Sequence, residues 1–251
     1  NGIDIWVITK ELGNHVFRSY KVTCTGVDNS PVISTVAPLS GTLLGYRTGC
    51  IKVSPDGSKI ASARFLEGKW DLFKFDNLTG IISDRIMIPQ PGAITIYGAE
   101  FSPNSQLVYI NGTYTYQYKV DIHDSTTIRN SMYQVDSVAF LHPAIQLGPD
   151  NKVYSNTFPN TSVINNPDVY GIGCNYAQQA ISLAGRNGKY GLPTFFSRLV
   201  TNYNVDYTYN FLPDCKTIDF FGVSNVPGPL TWSWDFGDGN TGTGQNITHT
   251  F

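Results

Sequence analysis

Residues 49–63, GCIKVSPDGSKIASA, constrain this chain more than any other stretch, because their pattern returns twice downstream. It recurs at 97–110, YGAEFSPNSQLVYI, and at 144–156, AIQLGPDNKVYSN. Aligning Ser54-Pro55-Asp56 with Ser102-Pro103-Asn104 and then Gly148-Pro149-Asp150 gives offsets of 48 and 46 residues. Each copy is an alternating apolar segment, a polar turn and a second alternating segment. Proline presets φ for the turn, and the Asp or Asn side chain bonds the backbone two residues on, so the hairpin is specified locally. A repeat of this length made of short strands predicts β-propeller blades.

Composition agrees with an all-β chain. Charged residues are only 14% of the 251, and polarity is carried instead by Asn, Thr, Ser and 15 Tyr; 24 Gly and 14 Pro supply turns. The hydrophobic share of 41% is enough for a substantial core. A formal net charge of −2 provides no basic footprint for nucleic acid and no polybasic membrane patch. No apolar run approaches the ~18 residues of a membrane span.

Taken in order, residues 3–10 and 15–25 alternate as strands, 28–31 form a turn and 31–38 a further strand, so the first blade is expected to be entered halfway. The second blade is complete, with strands at 50–54, 59–65, 70–75 and 81–88. The third runs 99–102, 107–111, 114–122 and a last strand near 128–135. The fourth has 144–147, 152–158, 162–166 and 180–184, and residues 191–196 supply one strand of a closing blade. About four blades result, a partial propeller over residues 1–200. Composition shifts after Val200, and 201–251 form a second, incomplete domain: a strand pair within 204–219, then WSWDFGDG at 232–239 and NITHTF at 246–251.

The run Trp234-Asp235-Phe236-Gly237-Asp238-Gly239, followed by residues 246–251, resembles the central motif of a PKD (polycystic kidney disease) repeat, an immunoglobulin-like β-sandwich. The preceding 200 residues resemble the propeller region of large secreted proteins of Bacteroidetes-type bacteria that carry PKD repeats and a gliding-motility-associated C-terminal sorting domain. The matching stretches are 1–9 (NGIDIWVIT), 49–59, 72–80 (LFKFDNLTG), 97–103, 144–154, 163–167 (VINNP), 173–176 (GCNY) and 190–193 (YGLP). The resemblance implies export by the type IX secretion machinery, a place on the outer surface or in the medium, and further propeller blades upstream of Asn1. It assigns no chemistry.

Cys24 and Cys50 stand where that family carries other residue types, which points to a disulfide; two small buried thiols are the alternative. A bridge between Cys174 and Cys215 is a further option. Asp136-Ser137-Val138 resembles the short sites at which such bacteria attach O-glycans to the hydroxyl residue, here Ser137. The four histidines never fall beside a Ser or Cys in a nucleophile context, so no catalytic residue, cofactor site or metal site is assigned. Glu100 places a carboxylate on an otherwise apolar inner strand, where it is either a hydrogen-bonded structural group or ligand-facing in a central channel. Tyr114 and Tyr116, in YTYQY, are the candidate exposed aromatic surface. Asp235 and Asp238 are weak calcium candidates in a glycine-rich loop; turn stabilisation is the stronger reading.

Three functions fit. The first is a non-enzymatic secreted or surface binding and adhesion module with a glycan or surface protein as ligand. The second is a lactonase-like or glycan-cleaving propeller enzyme with paired acids in the channel. The third is a passive spacer of a large adhesin.

Overall fold

The computed structural model describes residues 5–11, 16–23, 25–36, 49–65, 67–90, 95–136, 144–186, 191–192, 205–224, 226 and 229–251. The chain divides into two compact units, Asn1–Thr201 and Asn202–Phe251.

Among the described residues, the first unit holds four antiparallel sheets in chain order. The first contains β1 (Ile5–Lys10), β2 (Val16–Thr23), β3 (Gly26–Val27) and β4 (Val32–Thr35). Both β3 and β4 pair with β2, along different stretches of it, so this sheet is three strands wide. The second is β5 (Ile51–Val53), β6 (Lys59–Arg64), β7 (Lys69–Asp76) and β8 (Ile81–Pro89), in that spatial order. The third is β9 (Ile96–Phe101), β10 (Leu107–Gly112), β11 (Thr115–Lys119) and β12 (Tyr133–Gln134), and the fourth is β13 (Ile145–Leu147), β14 (Val153–Asn156), β15 (Thr161–Ile164) and β16 (Tyr176–Ile181).

The repeated turns form as their chemistry dictates. Asp56 Oδ1 accepts from Ser58 N at 3.0 Å, Asn104 Oδ1 from Gln106 N at 3.0 Å, and Asp150 Oδ1 from Lys152 N at 3.3 Å. The residue after each, Gly57, Ser105 or Asn151, takes a left-handed conformation with φ of 60° to 68°. The turns also tie one sheet to the next: Asp56 N donates to Ser105 Oγ at 3.0 Å, and Asn104 N to Asp168 Oδ1 at 2.9 Å.

Among the described residues, three apolar clusters fill the spaces between these sheets. Phe17 meets Ile60, Phe73, Phe75 and Ile82 between the first and second. Trp70, Leu72 and Ile88 meet Phe101, Val108 and Tyr118 between the second and third, and Tyr109 meets Ile145, Leu147 and Ile164 between the third and fourth. The sheets therefore stack face to face as successive propeller blades, and the second and third bury their central strands on both sides.

Two expected elements differ. The segment read as a strand near 128–135 is instead α1 (Ser125–Asn130) followed by the short β12. Asp124 caps that helix by accepting from Thr127 N at 2.7 Å, and Ile128 is its buried residue. The fourth blade's last strand is β16, four residues upstream of expectation, because Asn175 turns left-handed (φ 54°) and ends the 3-10 turn Gly171–Cys174. Gly191 and Leu192 carry no strand, and 193–196 lie outside the described residues.

A buried glutamine fastens the fourth blade to the third. Gln117 is fully buried; its Nε2 donates to Tyr109 Oη at 2.7 Å and to Val169 O at 3.0 Å, and its Oε1 accepts from Gly171 N at 2.7 Å. Tyr109 Oη in turn donates to Pro167 O at 2.8 Å. Gln117→Leu leaves Gly171 N–H without its partner, a loss of about 1–3 kcal/mol. Hydrogen exchange should then accelerate at Gly171 while the amides of β10 stay protected; unchanged exchange at Gly171 would remove this role.

The second unit contains β17 (Val205–Phe211), β18 (Thr217–Ser224), β19 (Ser233–Asp235), β20 (Thr241–Thr243) and β21 (Asn246–Thr250). One sheet has the order β17-β18-β21, and β19 pairs with β20. Phe220 anchors its aromatic packing, 5.6 Å from both Trp234 and Phe236. Gly222 leaves room for Trp232: a Cβ there would sit 2.4 Å from the indole.

Candidate functional site at the inner strands

The first strand of each complete blade puts one polar side chain at the same repeat position, two residues before Ser54, Ser102 and Gly148: Lys52, Glu100 and Gln146. The geometry converges on Glu100, which is 2% exposed. Its Oε2 meets Lys52 Nζ at 2.8 Å in the preceding blade and accepts from Leu147 N at 2.9 Å in the following one. Its Oε1 accepts from Phe101 N at 3.0 Å. One carboxylate thus joins the innermost strands of three consecutive blades. Burial pushes its pKa up, opposed by the Lys52 ammonium and the two backbone N–H groups. Both oxygens are engaged within the protein, so the geometry favours the structural alternative over a ligand-facing carboxylate.

Cys50 lies beside this row, its thiol 3.9 Å from Ala99 O in the next blade, and burial pushes its pKa up. Cys24, its expected partner, and Ser137, the expected glycan site, lie outside the described residues. Cys50, Cys174 and Cys215 all carry free thiols, the first half-buried, the second buried and the third exposed, against the expected bridges.

A second polar cluster was not singled out from the sequence. Arg64 is fully buried, pairs with Glu67, and lies 3.8 Å from Asp71 Oδ1; Arg85 reaches the same oxygen at 2.9 Å. Burial raises the Asp71 pKa against both guanidiniums. Lys10 in the first blade adds a third cation, its pKa lowered chiefly by burial, while the Asp71 charge opposes that shift. The hairpin register pairs Ser62 with Asp71 and Arg64 with Lys69, which makes Arg64 and Asp71 diagonal neighbours on one face. That diagonal was the signal available in the sequence.

Tyr114 and Tyr116 are a correction. They stack edge to face at 6.2 Å, but Tyr116 is 7% exposed and Tyr114 is half-buried against the core of the second and third blades. They do not form an exposed platform, because β11 is packed by a neighbouring blade on each face.

In the second unit, Asp235 Oδ1 accepts from Gly237 N at 3.0 Å and Asp238 Oδ1 from Asn240 N at 2.9 Å, so both carboxylates shape the loop. His249 Nε2 lies 2.8 Å from Asp238 Oδ2, and its ring stacks on Phe236 at 3.9 Å between centroids. Among the described residues, no three His, Cys, Asp or Glu side chains converge as a metal cage. The Asn240 N–H, then His249 and the Asn240 amide, hold the Asp238 carboxyl down to about 2, against an ordinary 3.8. The fold therefore favours the ionised form. That stabilisation is present above about pH 4 and is lost as pH falls toward 2. Acid melts of wild type and Asp238→Asn should diverge above pH 4 and converge at pH 2; parallel curves would deny the carboxylate this part.

Residues 212–251 match the family model described as PKD domain. No curated protein matches the chain. Among solved structures, a proposed 6-phosphogluconolactonase from Bacteroides uniformis is similar at 14% identity and a TM-score of 0.46, over 98% of this chain and 68% of that one. A protein from Lactobacillus plantarum is similar at 12% identity and a TM-score of 0.43, over 97% and 67%. Virginiamycin B lyase from Staphylococcus aureus follows at 16% and 0.38, with 65% of this chain covering 55% of its length. At these identities and TM-scores no residue role carries over from them. No described helix is long and apolar enough to cross a membrane. The chain is all-β: among the described residues, four blade-type antiparallel sheets are followed by a segment that matches the PKD domain.

Proposed function

We propose that this chain is a non-enzymatic binding or adhesion module of an exported bacterial protein, carried out by the type IX secretion machinery to the outer surface or the medium. The observation that carries this reading is the PKD-domain match at 212–251, directly after a stack of propeller-type blades. The engagement of Glu100 by Lys52, Leu147 and Phe101 supports it, since the inner-strand carboxylate serves the blades. Blades that display loops over a rigid stack suit recognition of a surface glycan or protein.

The test is to present the purified chain to arrays of bacterial and host glycans and surface proteins, and in parallel to panels of lactones and glycosides. Saturable binding without turnover is the expected result. Turnover of a lactone or glycoside would favour the enzyme, and neither binding nor turnover would favour the spacer. Export is tested by labelling intact producing cells with a membrane-impermeant reagent, with and without a working type IX pathway.

A further inference from the structure

Strand β17 is an open edge. It pairs with β18 over all seven residues without a bulge, and among the described residues nothing pairs with its other side. Leu212 N donates to Thr217 O at 2.8 Å, so by alternation Asp206, Thr208 and Asn210 direct their main-chain groups to β18. Val205, Tyr207, Tyr209 and Phe211 direct theirs outward. Tyr207 N confirms the parity: it is bonded to the Asp206 carboxylate, at 2.8 Å. These four residues are 54–65% exposed. The strand has no Lys, Pro or bulge, the usual devices that blunt an edge.

Its sequence, VDYTYNF, reads nearly the same in both directions about Thr208. Laid antiparallel against a second copy on a two-fold axis through Thr208, Tyr207 faces the other Tyr209 and Val205 faces the other Phe211. Asp206 faces Asn210, so no like charges oppose. The outward-directed residues are also those that become the hydrogen-bonded pairs, so each open N–H and C=O finds a partner. We propose that β17 is a self-association edge, through which two copies of this chain join antiparallel into one continuous sheet. Such an interface is isologous and closes as a dimer. Asp206, which occupies the Tyr207 N–H in the single chain, restrains it.

Two substitutions test the register in the full chain with Cys215→Ser. Thr208→Cys places two thiols across the axis in a non-hydrogen-bonded pair, whose Cα atoms stand about 4.5 Å apart, within disulfide reach. Asn210→Cys places them about 13 Å apart along the strands, out of reach. Under mild oxidation the first should cross-link at least about tenfold faster than the second. Thr208→Lys opposes two ammonium groups on the axis and should weaken dimerisation at least about tenfold in sedimentation equilibrium, with the circular dichroism of the single chain unchanged. Equal cross-linking at 208 and 210, or a wild-type chain monomeric at every concentration, would overturn the proposal.

Discussion

Glu100→Ala is expected to lower the free energy of unfolding by about 3–5 kcal/mol, read as a fall in the denaturant midpoint of the first unit. The substitution strips Lys52 of its partner while its side chain is only 17% exposed, and leaves the N–H groups of Leu147 and Phe101 without an acceptor. An unpaired buried cation accounts for most of that loss, and two unmet backbone donors add to it. Two further variants separate these parts. Replacing both members of the pair by methionine removes the stranded charge and should recover part of the loss, but not all, because the Leu147 and Phe101 N–H groups still lack their acceptor. Glu100→Gln keeps an oxygen for one of these donors and should fall between. If Glu100→Ala unfolded within about 0.5 kcal/mol of wild type, the clasp across three blades would be irrelevant to stability.

Much of the architecture was legible because its signals are local. The three Pro-Asx turns and their flanking alternation give the hairpins β5-β6, β9-β10 and β13-β14, and their near-constant spacing gives the blades. The PKD-like run was legible for the same reason, as a continuous loop with its own hydrogen bonds. What was not legible depends on partners distant in sequence. The alternation of β11 says that one face is apolar; it cannot say that the other face also meets a blade, so Tyr116 was expected at the surface. The role of Glu100 depends on Lys52 and on Leu147, 48 and 47 positions away, and only the stacking of inner strands brings them to one carboxylate. The helix α1 was hidden because its buried side chain, Ile128, suits a strand equally well, while its cap, Asp124, lies four residues before the apolar position that suggested a strand.

A packing test complements the polar one. Trp70 is fully buried, with its indole tilted over Tyr118 of the next blade at 5.1 Å between centroids. Ala61 and Ala63, fully buried or nearly so in the same cluster, are small enough to leave the space that the indole fills. Trp70→Ala should cost about 3–5 kcal/mol, because rigid strands on both sides cannot collapse into the void. The more discriminating result is its coupling. If the blades share one interface, Trp70→Ala and Tyr118→Ala remove opposite halves of the same contact. The double variant should then lose less than the two single losses together, by roughly 0.5–3 kcal/mol. Trp70→Ala combined with Gln117→Leu, whose hydrogen bonds reach toward the fourth blade, should come closer to additive. Strict additivity of Trp70 with Tyr118 would mean that the second and third sheets do not stabilise each other, and the stacked-blade account would fail where the largest side chain of the core lies.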